Sequence, residues 1–195
     1  MKGERIYYTD AYSTHFTAVI VEIVSVGGSP AVILDRSLFY PESGGQPHDT
    51  GTINGISVTN VTVRDSDQAV IHSLEEDPSE DSVHGEINWA RRFDHMQQHS
   101  GQHLLSRVLL NLLDADTLSF HLGDHESTID VDVDNMDDRN IIEVENLTNQ
   151  IIWENRPVYV QFLKKDEVKI QGIRSAPDLD EDPIRIVSIY YPGCF

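Results

Sequence analysis

Basic residues are scarce in this chain: 14 Lys and Arg stand against 33 Asp and Glu, for a formal net charge of −19. Proteins that bind polyanions normally carry the opposite sign, because their cations displace the counterions condensed on phosphate. The balance therefore argues weakly against a nucleic-acid partner and leaves room for one. Cysteine occurs once, as Cys194, so an intramolecular disulfide framework is excluded and a cytoplasmic protein is the default expectation. The sequence has no apolar run of about 18 residues, the length a helix needs to cross a bilayer. The opening residues MKGERIYYTD lack the apolar stretch of a secretory signal. Three catalytic signatures are missing as well. There is no Gly-Lys-Ser/Thr of a phosphate loop, no His-Glu-x-x-His of a zinc protease and no Gly-x-Ser-x-Gly of a serine hydrolase.

The acidic residues that are present gather in three places, 75–81, 124–145 and 178–182. Such runs suit an ordinary solvated surface. They suit equally a chain adapted to high salt, where carboxylates hold water and added ions screen their repulsion. The bases form one local stretch, Lys164, Lys165, Lys169 and Arg174, which reads as a solvated strand-turn or as a contact for a phosphate backbone.

The periodicity changes near residue 88. Before it, HFTAVIVEIVSV (15–26) and PAVILD (30–35) are rich in β-branched residues and are separated by turn signals. Asn54-Gly55 between two β-rich runs predicts a tight hairpin. QAVIHSL and SVHGEINW add two short strands, so residues 1–88 predict a small barrel-like β domain. After it, residues 89–115 lack proline and place Phe93, Met96, Leu104, Val108 and Leu112 at helical spacing. The end of SFHLGDHESTIDVDVD alternates, with Ile129, Val131 and Val133 on one face and Asp130, Asp132 and Asp134 on the other, which predicts a half-buried strand. DDRNIIEVENLTNQIIWENRP reads as a second amphipathic helix, and VYVQFL and IRIVSIYY read as two further strands. Residues 89–195 are thus expected to be α+β, with two long helices on an antiparallel sheet.

Two stretches stand out for chemistry. FYPESGGQPHDTG (39–51) concentrates turn residues directly after an apolar run, as a structural loop entering a hairpin would. His95, His99 and His103 recur every four residues, and His121 and His125 repeat the spacing. Residues four apart stack on one helix face, so two imidazoles can converge on one metal ion. Histidines at this spacing can equally be core or capping groups. Gly101 lies between two of them and costs about 1 kcal/mol against alanine in a helix. It is tolerated best where a backbone or a ligand approaches closely.

Taken together, FYPESGGQPHDTG and RRFDHMQQHSGQHLLS resemble the editing module of alanyl-tRNA synthetases and the free-standing AlaX proteins. SFHLGDHESTIDVD, IIWENRPV and IRIVSI follow in the order of that family, so the likeness runs from about residue 6 to 190. The resemblance implies a trans-editing deacylase that hydrolyses alanine tRNA mischarged with serine or glycine, on a β-rich domain (1–88) joined to an α+β editing domain (89–195). It implies a Zn2+ ion held by His99 and His103. It places Gly44, Gly45 and Gln46 beside the substrate, and Gln102 and His121 at or near the same pocket in a catalytic role; Gly101, from its place between the histidines, is expected to bind substrate as well. The family's remaining two ligands come from a Cys-x-x-x-His motif after the strand matched by IRIVSI. This sequence ends YYPGCF instead, which leaves Cys194 as the candidate third ligand and implies weak zinc binding or none. The alternative is a non-catalytic or metal-depleted relative that binds tRNA or a small ligand.

Overall fold

The structure is a computed structural model, and it describes residues 3–123, 126–170 and 183–189. It is mixed α+β. The strands are β1 (Glu4–Arg5), β2 (His15–Val26), β3 (Ser29–Leu34), β4 (Arg36–Ser37), β5 (Gly51–Ile53), β6 (Ile56–Val63), β7 (Val70–Leu74) and β8 (Ser82–Ile87). Helix α1 (Trp89–Leu113) follows, then β9 (Asp116–Leu122) and β10 (Ser127–Asp132). The remaining elements are α2 (Asp138–Trp153), β11 (Val158–Leu163), α3 (Lys165–Ile170) and β12 (Ile184–Ile189).

Six antiparallel strands pair in the order β2-β3-β7-β6-β5-β8, and β8 returns to β2, so the sheet closes on itself as a barrel. Closure leaves no edge of unpaired backbone among these strands. The β5–β6 hairpin turns at Asn54 (φ 51°) and Gly55 (φ 81°), the left-handed pair that a two-residue hairpin requires. Inward side chains make one apolar core, including Val32, Leu34, Phe39, Ile53, Val61, Leu74 and Val83. A polar pair is sealed beside it. Ser37 donates to Nε2 of His72 at 2.7 Å, while Nδ1–H of His72 donates to the Val32 carbonyl at 3.2 Å.

A second core joins the two long helices. Leu104, Val108 and Leu109 of α1 meet Val144 and Ile151 of α2, with Ile129, Val131 and Val133 packed against them. The Ile/Asp alternation of the sequence thus holds. Asn88 caps α1 by accepting from the Arg91 amide, and Asp137 caps α2 in a reciprocal box with Asn140.

Four sequence expectations are corrected. The segment before Ile129 is itself a strand, β9, which pairs with β10 as a hairpin. The antiparallel β structure beside the helices is divided into two two-stranded sheets, β9–β10 and β11–β12. Phe93 is exposed and stacks on Trp89, because the first half of α1 turns Arg92 and His95 inward instead. Lys165 opens a short helix rather than a strand-turn. Arg174 and the acidic run 178–182 lie outside the described residues.

Candidate functional site

The Gly/Pro-rich stretch folds as a loop laid along α1. Its base is closed by Tyr40 and Asp49: the Asp49 amide donates to the Tyr40 carbonyl at 3.0 Å, and the Tyr40 amide donates to Oδ2 of Asp49 at 2.6 Å. Arg92 then fastens the loop to the helix. Its Nε lies 3.1 Å from both Asp49 oxygens and its Nη2 2.5 Å from Oδ2, with further donation to the Leu38 and Ala11 carbonyls. Arg92 and Asp49 are each 1% exposed, and the guanidinium faces the Tyr40 ring at 4.8 Å. A buried ion pair is sustained only when the remaining donors find acceptors, and here they do.

The loop tip is a two-residue turn. Ser43 and Gln46 exchange both backbone hydrogen bonds (3.1 and 2.9 Å), with Gly44 at φ 56° and Gly45 at φ 82°. Glycine is required at Gly45 for a second reason: a Cβ there would run into the Phe120 carbonyl of β9. The close approach lets the Leu122 amide donate to the Gly45 carbonyl at 2.9 Å, tying the turn to β9. The tip is therefore held between α1 and β9.

From this position Gln46 reaches the histidines. Nδ1–H of His99 donates to Oε1 of Gln46 at 2.6 Å, which leaves Nε2 of His99 as an acceptor. Nε2–H of His103 points at that atom from 2.9 Å. Arg92 and His99 are seven residues apart, almost two full turns, so they share one face about 10 Å apart along the axis. His95 and His103 lie on the same stripe, and His95 is buried. Both site imidazoles are shifted toward the neutral form, although His103 is exposed on its outer side. Burial lowers the pKa of His99, helped by the charges of His103 and Arg185, and burial alone lowers that of His103.

The structure brings Gly44, Gly45, Gln46, His99 and His103 together and treats the other expected residues differently. Gly101 sits two residues after His99, on the opposite side of α1 from the paired imidazoles. Among the described residues nothing packs on it, so no close backbone approach explains it. The Gln102 amide is engaged with Ser106 Oγ (2.8 Å), which also receives Thr117 Oγ1 (2.8 Å). His121 is exposed on β9, its Cα close to Gly45. Cys194 and His125 lie outside the described residues.

The arrangement fits half of a zinc site. Two Nε2 atoms converge, and a carbonyl on the opposite nitrogen of His99 fixes its tautomer as metal-binding histidines require, while His103 would give up its Nε2 proton to bind a metal. Among the described residues no third His, Cys, Asp or Glu joins them. Asp49 and Arg92 were not singled out from sequence, although each lies inside one of the two telling stretches, as PHD and RRF.

Comparison with known proteins places these features. The family of tRNA synthetases class II (A) matches residues 5–91. The chain is 37% identical over 196 residues to the mouse (Mus musculus) alanyl-tRNA editing protein Aarsd1, covering 92% of this chain and 47% of that protein. Against the bovine (Bos taurus) Aarsd1 it is 39% identical over 160 residues, covering 81% and 36%. Similarity extends to the alanine–tRNA ligase of Thermococcus kodakarensis, 29% identical over 174 residues, covering 85% and 18%. The chain spans about half the length of the mouse relative it matches.

Proposed function

This chain belongs to the AlaX-like alanyl-tRNA editing family, and on that premise we propose that it deacylates alanine tRNA mischarged with serine or glycine. The observation that carries the reading is the Gln46–His99 hydrogen bond. It joins the two stretches that mark the family, which lie 53 residues apart in sequence. Residues 1–88 present the loop and residues 89–195 supply the histidines, so the reaction belongs to the seam between them.

His99 and His103 would hold a zinc ion, with Cys194 as the candidate third ligand. A bound zinc supplies Lewis acidity toward a carbonyl or a water. The chain's own groups do the rest. Gln46 fixes the His99 ring, and the Gly44-Gly45 turn docks on the Phe120 backbone of β9, which holds Gln46 in place. With Nδ1–H of His99 donated to Gln46, Nε2 of His99 presents a lone pair to accept a proton or bind a metal. Gln46, rather than Gln102, is the amide on the histidines, since Gln102 is spent on Ser106. Preference for serine over alanine follows when a pocket polar group bonds the serine hydroxyl and is left unpaired by alanine.

Incubation with Ser-, Gly- and Ala-tRNA carrying the alanine-tRNA body, with and without a chelator, tests this. Rapid loss of serine or glycine with alanine spared is expected. Equal rates on all three, or none on any, would refute it, and binding without hydrolysis would favour the non-catalytic alternative. In the active protein His103→Ala should lower zinc content by elemental analysis.

A further inference from the structure

Arg185 on β12 stands apart from the other cations around the site. Arg5 donates to the Tyr8 hydroxyl and the Gln68 carbonyl, Arg92 is saturated by Asp49, Leu38 and Ala11, and Arg91 donates to the His48 carbonyl. Among the described residues Arg185 donates no hydrogen bond and forms no ion pair, yet its Nε is sealed from solvent. Its guanidinium lies over an aromatic face, the Tyr8 ring, at 5.7 Å. A cation–π contact returns about 0.5–2 kcal/mol. Arg185 as a whole is half-buried, so water reaches the rest of the guanidinium, but a buried donor left unpaired at Nε costs about 1–3 kcal/mol. An anion accepting from Nε would remove that cost.

The surroundings identify that anion. Tyr8 is edge-on to Tyr40 at 6.4 Å, and Tyr40 roofs the base of the loop that carries Gln46. These ring contacts link Arg185 to the base of that loop, and its positive charge opposes the upward pKa shift of Tyr40 and adds to the downward shift of His99. An aminoacyl ester has no free carboxylate. The negative charge nearest its reacting carbonyl is the phosphodiester on the 5′ side of the terminal nucleoside, and a guanidinium fork suits a phosphate. In a chain of net charge −19 such a contact has to be made by a placed residue, because the overall field repels a polyanion.

We infer that Arg185, backed by the Tyr8 ring, binds the phosphodiester of the tRNA's 3′-terminal nucleotide and so registers the ester against His99 and His103. This rests on the deacylase reading above. The test compares the unmodified chain with Arg185→Gln and Arg185→Lys on two substrates, 3′-O-seryl-adenosine and the same compound with a 5′-phosphate. Calorimetric titration with adenosine and adenosine 5′-monophosphate runs alongside and requires no hydrolysis. The phosphate should lower KM and Kd roughly tenfold in the unmodified chain, the size of one charge-assisted hydrogen bond, with kcat unchanged. Arg185→Gln should erase that difference without altering the unphosphorylated compounds, and Arg185→Lys should keep part of it. Phosphate-dependent binding without ester cleavage would refute the deacylase reading and leave this assignment standing. Undetectable or equal binding of the two titrants, a phosphate advantage that survives Arg185→Gln, or an equal loss on both substrates would overturn it.

Discussion

Replacing Asp49 by alanine would strip Arg92 of its carboxylate while the guanidinium stays charged and buried. Four contacts vanish, two from Nε and one from Nη2 of Arg92 and one from the Tyr40 amide. Removing one partner of a buried pair costs about 3–5 kcal/mol, because the other charge is left uncompensated. That is a large share of the roughly 5–15 kcal/mol by which domains are stable. For a chain of this length it corresponds to a fall in Tm of roughly 10 °C. Urea unfolding of Asp49→Ala and of Asp49→Ala/Arg92→Met separates buried charge from lost packing. The double variant should regain at least half of the loss, although the Leu38 and Ala11 carbonyls then lack a donor at about 1 kcal/mol each. An Asp49→Ala chain within about 1 kcal/mol of the unmodified one, or a double variant no more stable than Asp49→Ala, would refute the clamp.

Gly45→Ala should be worse for activity than Gly44→Ala: both carry positive φ, but only Gly45 lies against the Phe120 carbonyl. The measurement is deacylation rate beside Tm, and equal effects would contradict the docked turn. Stability should fall on acidification from about pH 6.5 to 4, since burial lowers the His72 pKa to about 4. The unfolded chain binds that proton first, so about 3 kcal/mol is lost as pH drops through this window. Denaturant titrations that are flat between these pH values would refute it. Melting temperature should rise with KCl, because the screening length shortens from about 10 Å at 0.1 M to about 3 Å at 1 M around a net charge of −19. A falling or flat curve would argue against adaptation to salt.

Local chemistry determined much of this protein before any tertiary contact. β-Branched runs, Asn54-Gly55 and the helical and alternating patterns after residue 88 announce the strands and helices, because periodicity and turn preference act within a few residues. His99 and His103 were legible for the same reason, being one helical turn apart. Other features arise only where distant segments meet. The closing of β8 onto β2, the Arg92–Asp49 clamp and the Gln46–His99 bond join residues that sequence spacing leaves unrelated. The inward turn of Arg92 and His95, where an apolar face led by Phe93 was expected, is of that kind too. A buried polar stripe looks like a solvent face until its partners are seen. Gly101 shows the converse, since its place between two histidines suggested a shared pocket and helix geometry sends it to the other side. The sequence by itself determined which chemical groups were available, and the tertiary structure decided which of them converge, because convergence depends on long-range pairing that no local pattern encodes.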